Sequence, residues 1–180
     1  MSTLTFQPIT QQDGEREIIY GTGGIGKTSL ALQAPAPVVF FDLDRSLQKL
    51  ARNQQLGRVR TLPADTYKEL YETLTATGWD GIKTIVIDSA SELEALAELD
   101  VLRTVKTSNG QQAKSIEDYG FGKGYRFLYD RMDLILQAAE NHIRAGRNVV
   151  FICHESIDSA PNPMGENFLR YSPDLMETKS

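Results

Sequence analysis

The sequence has a single cysteine, Cys153, among its 180 residues, so no disulfide can form within the chain. This cysteine usage fits a reducing compartment. No apolar run approaches the roughly 20 residues that a membrane-spanning helix needs. The N-terminus also lacks the basic stretch followed by an apolar one that marks a signal peptide. These absences predict a cytoplasmic protein that does not enter a membrane.

Sequence patterns of several well-known sites are missing as well. The two histidines and one cysteine do not show the spacing of a zinc site. No Gly-x-Ser-x-Gly motif is present, which argues against a hydrolase built on a nucleophile elbow. The guanine-specific Asn-Lys-x-Asp motif is absent, so a bound nucleotide is expected to be ATP rather than GTP. The net charge of -5 argues against a general nucleic-acid coat but leaves room for a local basic patch.

What the chain does contain is a glycine-rich turn between an apolar run, 18–20, and the start of a helix. The turn reads Gly21-Thr22-Gly23-Gly24-Ile25-Gly26-Lys27-Thr28 and is followed by Ser29. This order is typical of a phosphate-binding P-loop, in which glycines let the backbone wrap a phosphate and direct N–H groups at it. Lys27 can then reach the β and γ phosphates, and the Thr28 hydroxyl can hold Mg²⁺. Residues 21–29 therefore predict binding of ATP and Mg²⁺.

The rest of the chain alternates between strand-like and helix-like segments. Strands are predicted at 38–41, 84–88 and 149–153, with weaker candidates at 3–6, 58–62 and 168–171. Helices are predicted at 65–77, from 89 to about 105, and along an apolar stripe from Tyr125 to Ile143, where His142 is expected to pack. Residues 106–118 and 156–167 are predicted as loops. The alternation predicts an α/β fold with a mostly parallel sheet and helices on both faces, in one domain whose residues 1–15 are an extension.

Polar residues follow the predicted central strands. Asp42 and Asp44 come after one, Asp88 ends the next, and His154 follows the last. If the strands are parallel, these residues meet the P-loop at one edge of the sheet. Asp88 lies about sixty residues after the P-loop, as in the Walker B arrangement whose carboxylate holds Mg²⁺. The alternative is an acid that caps the next helix.

Hydrolysis of ATP also needs a group that orients or deprotonates water. Asp44, Asp42 and Glu92 are the candidates. Glu92 has an alternative role, because it completes a capping box with Ser89. Asp44 lies just past a strand tip without such a role, and we favour it. His154 can contact the γ phosphate and report its loss to the segment behind it. The expected catalytic residues are Lys27, Asp44, Asp88 and His154.

Residues 103–131 are locally basic. They carry six cationic side chains and three acidic ones, with Tyr119, Phe121 and Tyr125 interleaved. Basic and aromatic groups together suit single-stranded nucleic acid, through phosphate pairing and base stacking. The alternative is a solvated helix face whose aromatic rings are turned to the core.

Five blocks resemble, in the same order, phage nucleotide-binding proteins of the RecA-like P-loop ATPase class, AAA-type ATP-binding proteins that include single-strand annealing ATPases. They are IIYGTGGIGKTSLA, VVFFDLD, TIVIDSASELE, DYGFGKGY and VVFICHE, and the resemblance covers about residues 16–175. It implies a three-layer RecA-like core in which another strand separates the P-loop strand from the Walker B strand. It also implies a homo-oligomer, action on single-stranded DNA, and location in the host cell cytoplasm.

The resemblance further assigns individual positions. Asp44 matches the place of the water-activating glutamate of that class but is one methylene shorter. His154 matches the polar sensor on the last core strand, and the segment after it matches the region that touches DNA. Such proteins usually carry further strands after Pro173, so this chain is a short member or lacks C-terminal strands. The favoured function is an ATPase of phage recombination or replication; the alternatives are a nucleotide or small-molecule kinase and a nucleotide-dependent assembly module.

Overall fold

The computed structural model describes residues 14–51, 59–162 and 164–176. The strands within these ranges are β1 (Arg16–Tyr20), β2 (Val38–Asp42), β3 (Val59–Thr61), β4 (Thr84–Asp88), β5 (Asn148–Cys153), β6 (Glu155–Ala160) and β7 (Phe168–Pro173). The α-helices are α1 (Lys27–Ala31), α2 (Leu47–Ala51), α3 (Tyr67–Thr75), α4 (Ala90–Thr104) and α5 (Lys123–Arg144). The strand predicted at 3–6 lies outside the described residues. Among the described residues, no helix is both long enough and apolar enough to span a bilayer.

Five strands form one parallel sheet in the order β1-β5-β4-β2-β3. Strand β5 thus separates β1 from β4, as the resemblance implied. In the register of the sheet Asp42 lies beside Asp88, and Tyr20 lies beside Cys153. The carboxyl ends of these four strands therefore reach one edge at the same level, and the segments that follow them meet there.

Alternate residues of the central strands are buried on opposite faces of the sheet. In β2, Val39 and Phe41 belong to the core formed with α3, α4 and α5, whereas Val38 and Phe40 belong to the core formed with α1 and α2. Because both faces are covered, these strands appear in the sequence as uninterrupted apolar runs. The predicted mostly parallel sheet with helices on both faces is confirmed.

Two elements differ from the sequence prediction. The loop predicted over 156–167 is wrong in its first half, because β6 occupies Glu155–Ala160 and pairs antiparallel with β7. The sequence of β6, ESIDSA, has little apolar content, so its strand conformation depends on pairing with β7 rather than on core burial. Helix α2 was not predicted; it is only five residues long and begins where Asp42 caps it.

Helices α4 and α5 extend past the main core and enclose a small apolar cluster of their own. Its buried members are Val101, Ala113, Ile116 and Tyr119. A short 3₁₀ helix, Ile116–Tyr119, occupies the end of the segment predicted as a loop, 106–118, and extends one residue beyond it. Arg131 of α5 donates to Asp100 of α4 at 2.7 Å, which ties the two helices together. Tyr119 is buried in this cluster, as expected if some of the aromatic rings of 103–131 turn inward.

Cys153 and His142 both lie in the interior, where His142 was expected to pack. Cys153 is buried, and burial raises the pKa of its thiol to about 11, so the group is inert at neutral pH. His142 is also buried; its Nε2 lies 2.7 Å from the Leu74 carbonyl oxygen, and its ring meets Trp79 edge-on. Burial lowers the pKa of His142; the hydrogen bond to Leu74 opposes this shift, and the Arg147 guanidinium adds to it.

The lowered pKa of His142 predicts loss of stability in mild acid. Below the unfolded-state value near 6.5, the unfolded chain binds a proton that buried His142 does not, so the free energy of unfolding falls as pH drops. The limiting slope is about 1.4 kcal/mol per pH unit. We expect urea unfolding between pH 7.5 and 5.5 to show a steeper loss for the wild type than for His142→Gln. Equal slopes would contradict a neutral buried His142.

Candidate active site

A cleft of about 380 Å³ lies at the carboxyl edge of the sheet. Its volume is in the range of small-molecule sites, roughly 300–1,000 Å³. It is lined by six of the nine residues expected to bind nucleotide, Gly23, Gly24, Gly26, Lys27, Thr28 and Ser29, together with Asp44, Ser46, Leu50, Asp88 and His154. All four residues expected to be catalytic therefore line one cleft.

The glycine-rich turn has the backbone that the sequence predicts. Gly24 and Gly26 have φ angles of 79° and 103°, which residues with a Cβ rarely adopt. Among the described residues, no group accepts a hydrogen bond from the N–H of Gly23, Gly24 or Gly26. These donors lie at the cleft beside Lys27, so the turn presents a concentration of N–H groups and one ammonium. Such a surface suits an anion.

Gly21, Thr22 and Ile25 are not part of the cleft lining. Instead, the Lys27 ammonium donates to the carbonyl oxygens of Gly21 at 2.7 Å and Thr22 at 3.0 Å. The Ile25 side chain is largely exposed to solvent. The first residues of the turn thus hold Lys27 in place, while the later ones form the wall of the cleft.

Asp88 is the centre of a cluster of oxygen atoms. The Thr28 hydroxyl donates to Asp88 Oδ2 at 2.7 Å, and the Ser46 hydroxyl donates to the same oxygen at 2.9 Å. Asp88 is 2% exposed; burial raises its pKa, the two hydroxyls lower it, and the carboxylates of Asp44 and Asp42 raise it. Hydroxyl and carboxylate oxygens are the ligands that Mg²⁺ prefers. The residues present therefore fit a magnesium ion.

The alternative role for Asp88 was to cap the next helix, α4, but Asp88 is not the capping residue. Ser89 caps α4 instead, since its hydroxyl accepts the Glu92 N–H at 3.2 Å. Glu92 itself is exposed and lies outside the cleft lining. Asp42 is occupied elsewhere, because its Oδ1 accepts the N–H of Ser46 at 2.8 Å at the start of α2. Of the three candidate acids for water activation, only Asp44 lines the cleft.

The Asp44 carboxylate is held at both oxygens. Oδ1 accepts the Ser89 hydroxyl at 3.0 Å, and Oδ2 lies 3.0 Å from His154 Nε2. Because a carboxylate can only accept, the proton in this pair is on Nε2 of the imidazole. The backbone of His154 is held as well: its N–H donates to Ser91 Oγ, and its carbonyl oxygen accepts the N–H of Asp174, just after β7. The orientation of Asp44 is therefore coupled to the β6–β7 hairpin.

Two residues of the cleft were not expected from the sequence, Ser46 and Leu50, and of these Ser46 has polar contacts at the site. Its hydroxyl lies between two carboxylates, 2.9 Å from Asp88 Oδ2 and 3.2 Å from Asp42 Oδ1. Its only signal in the sequence is a hydroxyl residue four positions after Asp42. That spacing is indistinguishable from an ordinary serine at the start of a helix.

Comparisons with known proteins concern the family and the fold. A family model described as "AAA domain" matches residues 13–180. Among solved structures, the chain is similar to an ATPase from the type III secretion system of pathogenic bacteria, at 12% identity and a TM-score of 0.53 over 84% of this chain. The chain spans only 48% of that ATPase. A KaiC-like protein from Pyrococcus horikoshii OT3 also matches, at 12% identity and a TM-score of 0.43, covering 89% of this chain and 79% of the other. No curated protein matches the sequence.

Proposed function

Because the chain belongs to the AAA domain family, we propose that it is a Mg²⁺-dependent ATPase whose turnover is coupled to single-stranded DNA. The observation that carries the proposal is the presence of two side-chain clusters in one cleft. In the first, the side chains of Thr28 and Asp88 are 2.7 Å apart, and in the second those of Asp44 and His154 are 3.0 Å apart. The first cluster suits binding of a metal–phosphate complex, and the second suits activation of water.

Each residue has a separate part in the proposed reaction. The N–H groups of the glycine-rich turn and the Lys27 ammonium bind the phosphate oxygens of ATP. Thr28 and Asp88 would hold Mg²⁺, with Ser46 supporting Asp88, and the bound ion would neutralise charge on the phosphates. Asp44 orients the attacking water and accepts its proton. The His154 Nε2–H keeps the Asp44 carboxylate turned into the cleft.

The contacts of His154 support a role in signalling. Its side chain is 47% exposed at the cleft, while its backbone is bonded to Ser91 and Asp174. A change at the γ phosphate position would move the imidazole and, through Asp174, the base of the β6–β7 hairpin. The hairpin carries exposed apolar side chains, among them Leu169 and Tyr171, that a partner can contact. We therefore place the readout of ATP hydrolysis at this hairpin.

The proposal includes assembly into a homo-oligomer. Lys27 is the only lysine or arginine lining the cleft among the described residues, and charge develops on three phosphate oxygens during phosphoryl transfer. A cation from a neighbouring copy would complete the site. Strand β1 supports contact between copies, since it lies at the edge of the sheet and leaves Ile18 and Tyr20 exposed. The setting we propose is phage recombination or replication in the host cell cytoplasm.

Single-stranded DNA is expected to raise the rate of ATP hydrolysis. The assay measures release of inorganic phosphate with ATP and Mg²⁺, with and without an unstructured oligonucleotide. A duplex of the same length and an EDTA-treated reaction serve as controls. Equal rates with and without single-stranded DNA would contradict the coupling to DNA.

The same assay separates the other candidate functions. Transfer of the γ phosphate to an added nucleoside would indicate a kinase. Tight nucleotide binding with negligible phosphate release under every condition would indicate an assembly module. The ATPase proposal is supported only if phosphate is released to water and the release requires Mg²⁺.

A further inference from the structure

The tip between the 3₁₀ helix and α5 exposes an aromatic ring completely. Phe121 is 102% exposed and has a positive φ of 49°, between Gly120 at 67° and Gly122 at 70°. A Cβ added at either glycine would meet no atom within 4 Å, so the tip stands free of the rest of the described chain. The small cluster beneath it is closed by Ile116 and other side chains without help from Phe121. Folding therefore gives no reason for an apolar ring at this position.

Cationic and aromatic side chains continue from the tip along the exposed face of α5. Lys123 and Arg126 are exposed and three residues apart, and Tyr129, three residues further, is 61% exposed. At 1.5 Å per residue, Lys123 to Tyr129 spans about 9 Å of helix. Within the described chain, neither Lys123 nor Arg126 forms an ion pair.

Two of the acidic residues near this surface form local hydrogen bonds. Glu117 accepts a hydrogen bond from Tyr125 at 3.0 Å. Asp118 accepts the backbone N–H groups of Lys114 and Ser115. Neither carboxylate pairs with Lys123 or Arg126, so these two cations of α5 remain available for an external anion. Residues 103–131 carry six cationic and three acidic side chains in a chain whose net charge is -5.

We propose that this surface, defined by Phe121, Lys123, Arg126 and Tyr129, binds single-stranded nucleic acid. Bases stack on the two exposed rings, and the lysine and arginine between them pair with the intervening phosphates. A ring exposed on a free tip can stack only on a base that is itself unpaired, which is why we choose a single strand over a duplex. The inference rests on the proposed function, and it assigns the strand to a surface separate from the β6–β7 hairpin.

The test measures binding of a fluorescein-labelled oligothymidylate by anisotropy at several salt concentrations. Phe121→Ala is expected to weaken binding about 5- to 150-fold, the effect of losing one stacked base. Lys123→Gln with Arg126→Gln is expected to weaken binding and to reduce the dependence of log K on log salt by about 0.7 per lost phosphate contact. The matched controls are Lys83→Gln, an exposed lysine before β4, and Leu136→Ala, an exposed apolar residue further along α5. Both should bind like the wild type, and thermal melting checks that every variant is folded.

The outcomes separate this inference from the proposed function. Suppose that the wild type binds the oligonucleotide and that Phe121→Ala and the Lys123→Gln, Arg126→Gln variant bind it equally well. The assignment of the strand to this surface would then be wrong, while the proposed coupling to DNA would stand. If the wild type binds no single strand, both are wrong. If the wild type binds a duplex as tightly as the single strand, the proposed stacking of the two rings on unpaired bases is wrong. A change in oligomer mass without a change in DNA affinity would overturn the inference and make the tip a contact between copies.

Discussion

Replacing Lys27 with alanine is expected to abolish ATP turnover. The ammonium of Lys27 is held at the cleft by the carbonyl oxygens of Gly21 and Thr22, so the loss leaves no lysine or arginine in the described lining of the cleft. Charge-assisted bonds to phosphate that strengthen in the transition state contribute several kcal/mol. We expect kcat/KM to fall at least about 100-fold, equivalent to about 2.7 kcal/mol. Phosphate release and binding of a fluorescent ATP analogue measure the two steps.

The matched control for this variant is Lys83→Ala. Lys83 is an exposed lysine at the amino end of β4, the edge of the sheet opposite the cleft. It should leave nucleotide binding and turnover unchanged, and both variants should melt near the wild-type temperature, because neither side chain is buried. Wild-type turnover in Lys27→Ala would mean that the glycine-rich turn is not the phosphate site.

Replacing Asp44 with asparagine is expected to separate binding from hydrolysis. Asparagine has the same size and can still accept the Ser89 hydroxyl, so the cleft should keep its shape. The amide cannot take a proton from water. With its oxygen still accepting the Ser89 hydroxyl, its NH₂ group faces the His154 Nε2–H and cannot accept that hydrogen bond. General-base catalysis contributes about 10²- to 10⁴-fold, so kcat should fall within that range while the affinity for ATP stays within a few-fold of the wild type. Single-turnover hydrolysis alongside equilibrium binding measures the two quantities.

Glu92→Gln is the control for Asp44→Asn, because Glu92 was a candidate for the same role. Its side chain is exposed and lies outside the lining of the cleft, and only its N–H takes part in the cap of α4. The variant should hydrolyse ATP at the wild-type rate. Full activity in Asp44→Asn together with loss in Glu92→Gln would move the activating acid to Glu92.

The central strands of the sheet were predictable, because each one corresponds to a short run of apolar residues in the sequence. The runs 38–41 and 85–87 are apolar throughout, since each strand packs on both faces, and their positions match the centres of β2 and β4. Strand β6 was not predictable in the same way. Its residues show little alternation of apolar and polar side chains, and the strand forms because β7, the next strand along the chain, supplies its hydrogen-bond partners.

The same distinction holds for the site. The glycine-rich turn is a contiguous motif, so it could be read without knowing the fold. Ser46 and the pairing of His154 with Asp44 depend on how separate strand ends meet, and no local pattern records that. The aromatic residues of 103–131 show a third case: the sequence groups Tyr119 and Phe121 in one basic segment, but only the structure shows that the first is buried and the second exposed.

Residues that meet in the cleft are far apart in the sequence, so a ligand of the cleft can bind only the folded domain. The Thr28–Asp88 bond joins residues 60 positions apart, and the Asp44–His154 contact joins residues 110 positions apart. Neither can exist before the parallel sheet has assembled, and pairing of strands far apart in sequence is slow. A ligand that binds only the assembled cleft stabilises the whole domain in proportion to the logarithm of its concentration. On the proposed function, ATP would therefore stabilise the assembled domain as well as serve as its substrate, and it would protect the newly made chain from proteolysis.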